Sequence, residues 1–218
     1  MPDRTRRRLL AAAPAAAAAL GLSLAGPSPA FAQAQGYELI EPPQNTASGD
    51  TVEVMEFFWL GCPHCYSFEP HIEDWKADMP SGVAFVREAP PLNPSWEQHS
   101  RAFYAAKALG KEDEFVIAAF DAIHKDGKRL RKPDEIAEVA ESVGLDPEEF
   151  VRTMESFTVE TALRRSVKLA RGAGLTGVPT VVINGKYRTG AALAGGNAGM
   201  IDVIDRLVAI EKRSLGLE

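Results

Sequence analysis

Cysteine is scarce: the 218 residues contain two, Cys62 and Cys65, separated by Pro63 and His64. One pair cannot build a disulfide framework. No second cysteine pair exists, and His64, His71, His99 and His124 show no H-x₃₋₅-H spacing, so a zinc site would lack its other half. Magnitude argues against a merely structural bridge, because closing a four-residue loop stabilises by only about 2 kcal/mol in the chain-entropy model, less than half the value for hundred-residue loops. A basic excess is missing too: 24 Lys and Arg face 30 Asp and Glu, a net charge of −6. That sign disfavours nucleic acid and anionic membrane as partners. No long apolar run suits a membrane span, since the stretch from Leu9 to Ala25 is interrupted by Pro14 and stops at Gly26-Pro27, short of about 20 residues.

What the first residues do contain is a secretory pattern. Arg4, Arg6, Arg7 and Arg8 form a basic start, an alanine-rich apolar run follows, and Ala30-Phe31-Ala32 offers a small-x-small cleavage site, so residues 1–32 read as a signal peptide. Thr5-Arg6-Arg7-Arg8-Leu9-Leu10 also fits a twin-arginine signal, which leaves the export route open. Removing 32 residues leaves 186, with 20 basic against 29 acidic, enough for one core plus an insertion. Export implies an oxidising compartment, where a cysteine pair can persist as a disulfide.

Along the remaining chain, Tyr37 to Ile40 reads as a short edge strand. Thr51 to Leu60, with Val52, Val54, Phe57, Phe58 and Trp59, reads as a strand buried on both faces. Gly61 ends it and a helix opens at Pro63, with Phe68, Ile72, Trp75 and Met79 on one side and Pro70 expected to kink it. Val83 to Glu88 is a second core strand. From Pro94 to Gly174 only helical patterns occur: Phe103 to Leu109, Phe115 to Ile123, Ile136 to Val143, and one long run from Phe150 to Ala173. Asp146-Pro147-Glu148-Glu149 is a helix start, and the charges from Lys125 to Lys132 read as solvated surface. Strand character returns at Pro179 to Asn184, Asn184-Gly185 signals a hairpin, and Lys186 to Thr189 is its return strand. A last helix from about Met200 to Arg213 is expected to bury Ile201, Ile204, Leu207, Val208 and Ile210.

The chemistry lies where the first long strand meets its helix. Three residues along a helix bring two sulfurs into bonding range. Cys62, at the helix N-terminus, meets unpaired N–H groups and the positive end of the dipole, both of which favour thiolate. The dipole supplies at most about 2 kcal/mol, roughly one pKa unit or a little more, so further donors are needed, and His64 is the candidate. Glu69, four residues after Cys65 on the same helical face, is a candidate proton acceptor.

Glu56-Phe57-Phe58-Trp59-Leu60-Gly61-Cys62-Pro63-His64-Cys65-Tyr66-Ser67-Phe68-Glu69 resembles the active-site strand and helix of the DsbA family, and Gly177-Val178-Pro179-Thr180-Val181-Val182-Ile183-Asn184-Gly185-Lys186-Tyr187 resembles its cis-proline loop and hairpin. The resemblance implies an α/β thioredoxin fold, a central mixed sheet flanked by helices, with an inserted all-helical domain. It divides the chain into a first thioredoxin part at 33–92, a helical insertion at 93–174 and a second thioredoxin part at 175–218. It implies a redox-active disulfide in which Cys62 is the attacking and accepting sulfur and Cys65 the buried resolving one, with no cofactor and no metal. Pro63, His64, Glu69 and Glu56 would modulate the pair, the two glutamates matching buried acids of the family. A cis Val178-Pro179 bond would leave the Val178 backbone free to pair with an extended substrate segment. Arg87 falls where the family places a buried lysine, and arginine does not give up its proton. Partners implied are reduced or unfolded exported proteins and a membrane quinone-linked reoxidase of DsbB type, with the protein itself a monomer.

Donation of disulfides is the expected direction, because stabilising the Cys62 thiolate favours the reduced protein. The alternatives are a disulfide isomerase or reductase of the same fold, a chaperone-like binding module with a regulatory redox pair, and an interaction protein with a structural pair. N-terminal sequencing of exported protein is expected to begin near Gln33; an intact Met1 would overturn the reading of the first 32 residues.

Overall fold

The computed structural model describes residues 35–217, so the signal pattern lies outside the described residues. A five-stranded mixed sheet is ordered β1-β5-β4-β2-β3, formed by β1 (Glu38–Leu39), β2 (Val52–Phe57), β3 (Val83–Glu88), β4 (Thr180–Ile183) and β5 (Tyr187–Thr189). Only β2 and β3 run parallel; β4 lies antiparallel to β2, and β5 is antiparallel to both β4 and β1. Helix α1 (Pro63–Ala77) makes the crossover between β2 and β3. Five helices separate β3 from β4: α2 (Glu97–Ala108), α3 (Glu112–His124), α4 (Pro133–Ser142), α5 (Pro147–Met154) and α6 (Phe157–Gly172). After β5 come the short α7 (Ala191–Ala194) and α8 (Asn197–Leu215). None of the described helices is long and apolar enough to cross a membrane.

Every residue of β2 is buried, including its two glutamates: Glu56 pairs with Arg87, and Glu53 accepts from the Ala47 N–H at 3.0 Å and the Ser48 hydroxyl at 2.7 Å. Alternation along the strand divides its side chains between two faces. Val52 and Val54 pack with Phe68, Ile72 and Trp75 of α1 and with Val203, Ile204 and Leu207 of α8. Met55 and Phe57 pack on the other face, against Ala170 of α6 and Ala173. Glu56 keeps to the first set and sits in register with Arg87 of β3. A third apolar cluster joins Phe58, Leu60 and both cysteines to the inserted helices. The segment that follows β2 thus lends its apolar side chains to the cluster of the inserted helices.

Local chemistry accounts for the boundaries. Asn184 and Gly185 both adopt positive φ, 48° and 67°, as the hairpin turn demands. The Asp146 carboxylate caps α5 by accepting from the Glu149 N–H at 2.7 Å. Two expectations need correction. The periodic run from Phe150 to Ala173 is two helices, because the Ser156 hydroxyl accepts from the Val159 N–H at 3.3 Å and starts a new helix after Met154. On α8, Ile210 is 38 % exposed and Glu211 is buried in its place, where it accepts from the Asn184 amide and the Lys186 ammonium at 2.6 Å each. Helix α1 runs through Pro70 as a single element.

The joint between sheet and insertion is aromatic. Phe103 of α2, with no exposed surface, meets Phe58 edge-on at 5.0 Å and Tyr104 at 4.9 Å. Phe103→Ala is expected to destabilise the protein by about 3–5 kcal/mol, from lost burial plus the cavity left behind. Urea unfolding measures this; a change under about 1 kcal/mol would show that Phe103 does not hold the joint.

Candidate active site

Strand β2 ends at Phe57, and Phe58 keeps the pairing one residue further by donating its N–H to the Glu88 carbonyl at 3.1 Å. The chain then turns sharply: the Cys62 N–H returns to the Trp59 carbonyl at 2.9 Å, and the His124 ring donates Nε2–H to the Leu60 carbonyl at 2.8 Å. Gly61 is required here, since a Cβ would lie 2.3 Å from the Trp59 ring. Trp59 itself stacks flat on Trp96 at 4.7 Å. Cys62 is the N-cap of α1, in extended conformation, and Pro63 takes the first helical position, where its missing N–H costs nothing.

Both thiols are free, Cys62 7 % exposed and Cys65 wholly buried. The helix start separates their acidities. Cys62 is lowered to about 6, first by a hydrogen bond from the Cys65 thiol and then by the backbone N–H groups of Cys65 and His64, against the opposing effect of burial. The charge of His64 contributes least, and its side chain is exposed. Burial and the neighbouring Cys62 push the Cys65 thiol strongly upward. Across the site the Val178–Pro179 bond is cis, and the Val178 carbonyl lies 3.5 Å from Cys62 Sγ. A groove of about 410 Å³ runs from His64 past Val178 and Pro179 to Leu193.

Behind the cysteines lies a buried charge cluster. Arg87, fully enclosed, donates Nε–H to Glu56 at 3.1 Å and Nη2–H to Glu69 at 2.8 Å. Burial raises Glu56 above the usual carboxylate range and lifts Glu69 to about 8, with Arg87 acting against burial in both cases. Burial would lower Arg87, but the surrounding glutamates outweigh it and hold the guanidinium firmly charged. Among the described residues no group of three or more His, Cys, Asp and Glu has the geometry to hold a metal ion.

Cys62, Pro63, His64, Cys65, Val178 and Pro179 thus meet at one end of the sheet, with Glu56 and Glu69 beneath them. Sequence reasoning missed Glu73, which shares Arg87 Nη2 with Glu69 at 2.9 Å, although its place four residues after Glu69 marks the same helical face. It also missed His124 and Asp113, which come from the insertion and have no local signature.

Comparison with known proteins decides the family. The DSBA-like thioredoxin domain matches residues 53–198. The chain belongs to this family. It is 39 % identical over 196 residues to the thiol:disulfide interchange protein DsbA of Azotobacter vinelandii, covering 89 % of this chain and 91 % of that one. Its identity to the protein of the same name from Pseudomonas aeruginosa is 35 % over 206 residues, covering 94 % and 97 %. The crystal structure of Pseudomonas aeruginosa DsbA superposes with a TM-score of 0.78 at 37 % identity, covering 82 % of this chain and 93 % of that one. The sheet and inserted helices of this DSBA-like chain are therefore those of the family.

The separated acidities predict the labelling pattern of this DSBA-like protein. Thiolate, not thiol, reacts with iodoacetamide, so labelling of Cys62 should fall to half its maximal rate near pH 6 while Cys65 stays unlabelled. Equal labelling of the two at pH 6, read by mass spectrometry, would contradict the assignment.

Proposed function

We infer that this chain is a thiol–disulfide oxidoreductase that donates a Cys62–Cys65 disulfide to newly exported proteins in the periplasm. The observation that carries this reading is the placement of Cys62 at the N-terminus of α1, beside a wholly buried Cys65 and across from the Val178 carbonyl, where the Cys65 thiol and the first backbone N–H groups favour its thiolate. A thiolate exists only in the reduced protein, so its stabilisation favours reduced protein and makes the disulfide an oxidant. The sign follows from the two pKa values. With the folded value near 6 and the ordinary value at 9.0, the reduced form gains stability as pH rises from about 6 to 9 and loses it as pH falls through 6.

In the proposed cycle, a client thiolate attacks Cys62 Sγ and breaks the bond to Cys65, whose sulfur leaves with the electron pair and takes a proton from Glu69 or Glu56. A second client thiolate then attacks the client sulfur of the mixed disulfide. Cys62 departs as a thiolate, the client holds the new disulfide, and the protein is left as a dithiol. The Val178 backbone, next to Cys62 Sγ, supplies an edge for an extended client segment, and the groove beside Pro179 takes its side chains. A membrane quinone-linked reoxidase of DsbB type restores the disulfide, and the protein works as a monomer.

Equilibration with glutathione tests the direction. The pair is expected well above about −200 mV, the upper end of the glutaredoxin range, and a value near about −270 mV, as in thioredoxin, would make it a reductase. Oxidative refolding of a reduced client should be lost in Cys62→Ser. His64→Ala should make the disulfide less oxidising only slightly, because backbone N–H groups and the Cys65 thiol outweigh the imidazole at Cys62; a large drop would return the main role to His64.

A further inference from the structure

Arg87 touches more acids than the cysteine pair alone calls for. Beyond Glu56, Glu69 and Glu73, its Nη1 donates to Asp113 Oδ1 at 2.9 Å. Asp113 stands in the first turn of α3, in the helical insertion, and its side chain is 55 % exposed. Lys76 closes the ring, with Nζ 2.7 Å from Asp113 and 2.8 Å from Glu73. Four carboxyl groups thus face two cations, while one of the four, Glu56, is cut off from solvent. The charges come from every element around the cluster: Glu56 from β2, Glu69, Glu73 and Lys76 from α1, Arg87 from β3 and Asp113 from α3. Lys107 of α2 lies against the Arg87 carbonyl at 3.3 Å and pairs with Glu112 at 3.1 Å.

An arginine does not release its proton, so Arg87 acts only by orienting these acids and by setting how firmly they stay ionised. Each carboxylate that shares the guanidinium weakens its hold on the others. We propose that Asp113 is a positioning residue for the proton that Cys65 exchanges: by sharing Arg87, it keeps Glu69 and Glu56 able to take and hold that proton. The inference rests on the reading of Cys65 as the resolving thiol. When Cys65 resolves a mixed disulfide at Cys62, its proton passes to the buried carboxylate and its sulfur bonds to Cys62 Sγ. The partner leaves as a thiolate with the electron pair of the broken bond. A carboxylate gripped by an unshared guanidinium is a weaker base for this step. Glu69 itself is lifted to about 8 chiefly by burial, with Arg87 pulling it down and Glu56 and Glu73 pushing it up.

Opposite signs separate this role from packing. Neutralising Asp113 removes a negative charge and returns guanidinium to the glutamates, so their titration midpoint falls. Removing Lys76 takes away a positive charge, so the midpoint rises. The test uses the full reduced chain as wild type, Asp113→Asn, Asp113→Glu and Lys76→Met. Glutamate carboxyls are titrated by ¹³C NMR, and the resolution of a Cys62–glutathione mixed disulfide by Cys65 is timed against pH. Asp113→Asn is expected to lower both midpoints by about 0.5 pH unit, Lys76→Met to raise them, and Asp113→Glu to restore the wild-type values. Unchanged midpoints in Asp113→Asn, or shifts of the same sign in Asp113→Asn and Lys76→Met, would overturn the proposal. Failure of the wild type to resolve the mixed disulfide would instead refute the role of Cys65, and the carboxyl titration would still judge Asp113.

Discussion

A guanidinium without exposed surface must find its acceptors inside the protein, and Arg87 finds them on three different pieces of structure. Its side chain lies on the same sheet face as Glu56, its cross-strand neighbour, and under the helix that begins with the cysteines. The geometry of α1 on the sheet is therefore tied to the placement of one charge. Removing either side of a buried pair leaves the other uncompensated, which costs roughly 3–5 kcal/mol, so the cluster constrains far more than it stabilises. The rings of Phe58 and Phe85 lie against the same guanidinium at 5.9 and 5.4 Å and keep water out.

The thiolate at Cys62 depends on a different economy of donors. Neither a formal charge nor a side chain from elsewhere does most of the stabilising; the Cys65 thiol and the first N–H groups of α1 do. These donors are fixed once the strand ends, Gly61 turns and Pro63 opens the helix. The dipeptide between the cysteines acts chiefly through where it holds the backbone.

Much of this was legible in the residues because the signals were local. A strand rich in β-branched and aromatic residues, a Cys-Pro-His-Cys helix start, an Asp cap before Pro147 and an Asn-Gly turn each carry their reason within a few positions. What escaped was decided by contacts at long range. The periodicity from Phe150 to Ala173 reads as one helix because Phe150, Met154, Val159 and Leu163 share a core, yet Ser156 interrupts the backbone between them. Ile210 gave way to Glu211 because two donors on the hairpin, Asn184 and Lys186, reach that carboxylate. Asp113 and His124 are unremarkable surface types in sequence, and only the docking of the insertion brings them to Arg87 and Leu60.

The insertion leaves the sheet after Glu88 and returns at Thr180, and both residues flank Phe57 in register, one on each side. Its two ends are therefore about two strand spacings apart, roughly 10 Å. A segment whose ends lie so close adds little closure entropy however long it is, since each doubling of length costs only about 0.6 kcal/mol. The thioredoxin sheet can thus host helical domains of very different size at this one point without rebuilding its pairing. Because the host point borders the cysteines, variation in the guest changes what surrounds the disulfide while the strand and helix that carry it stay as they are.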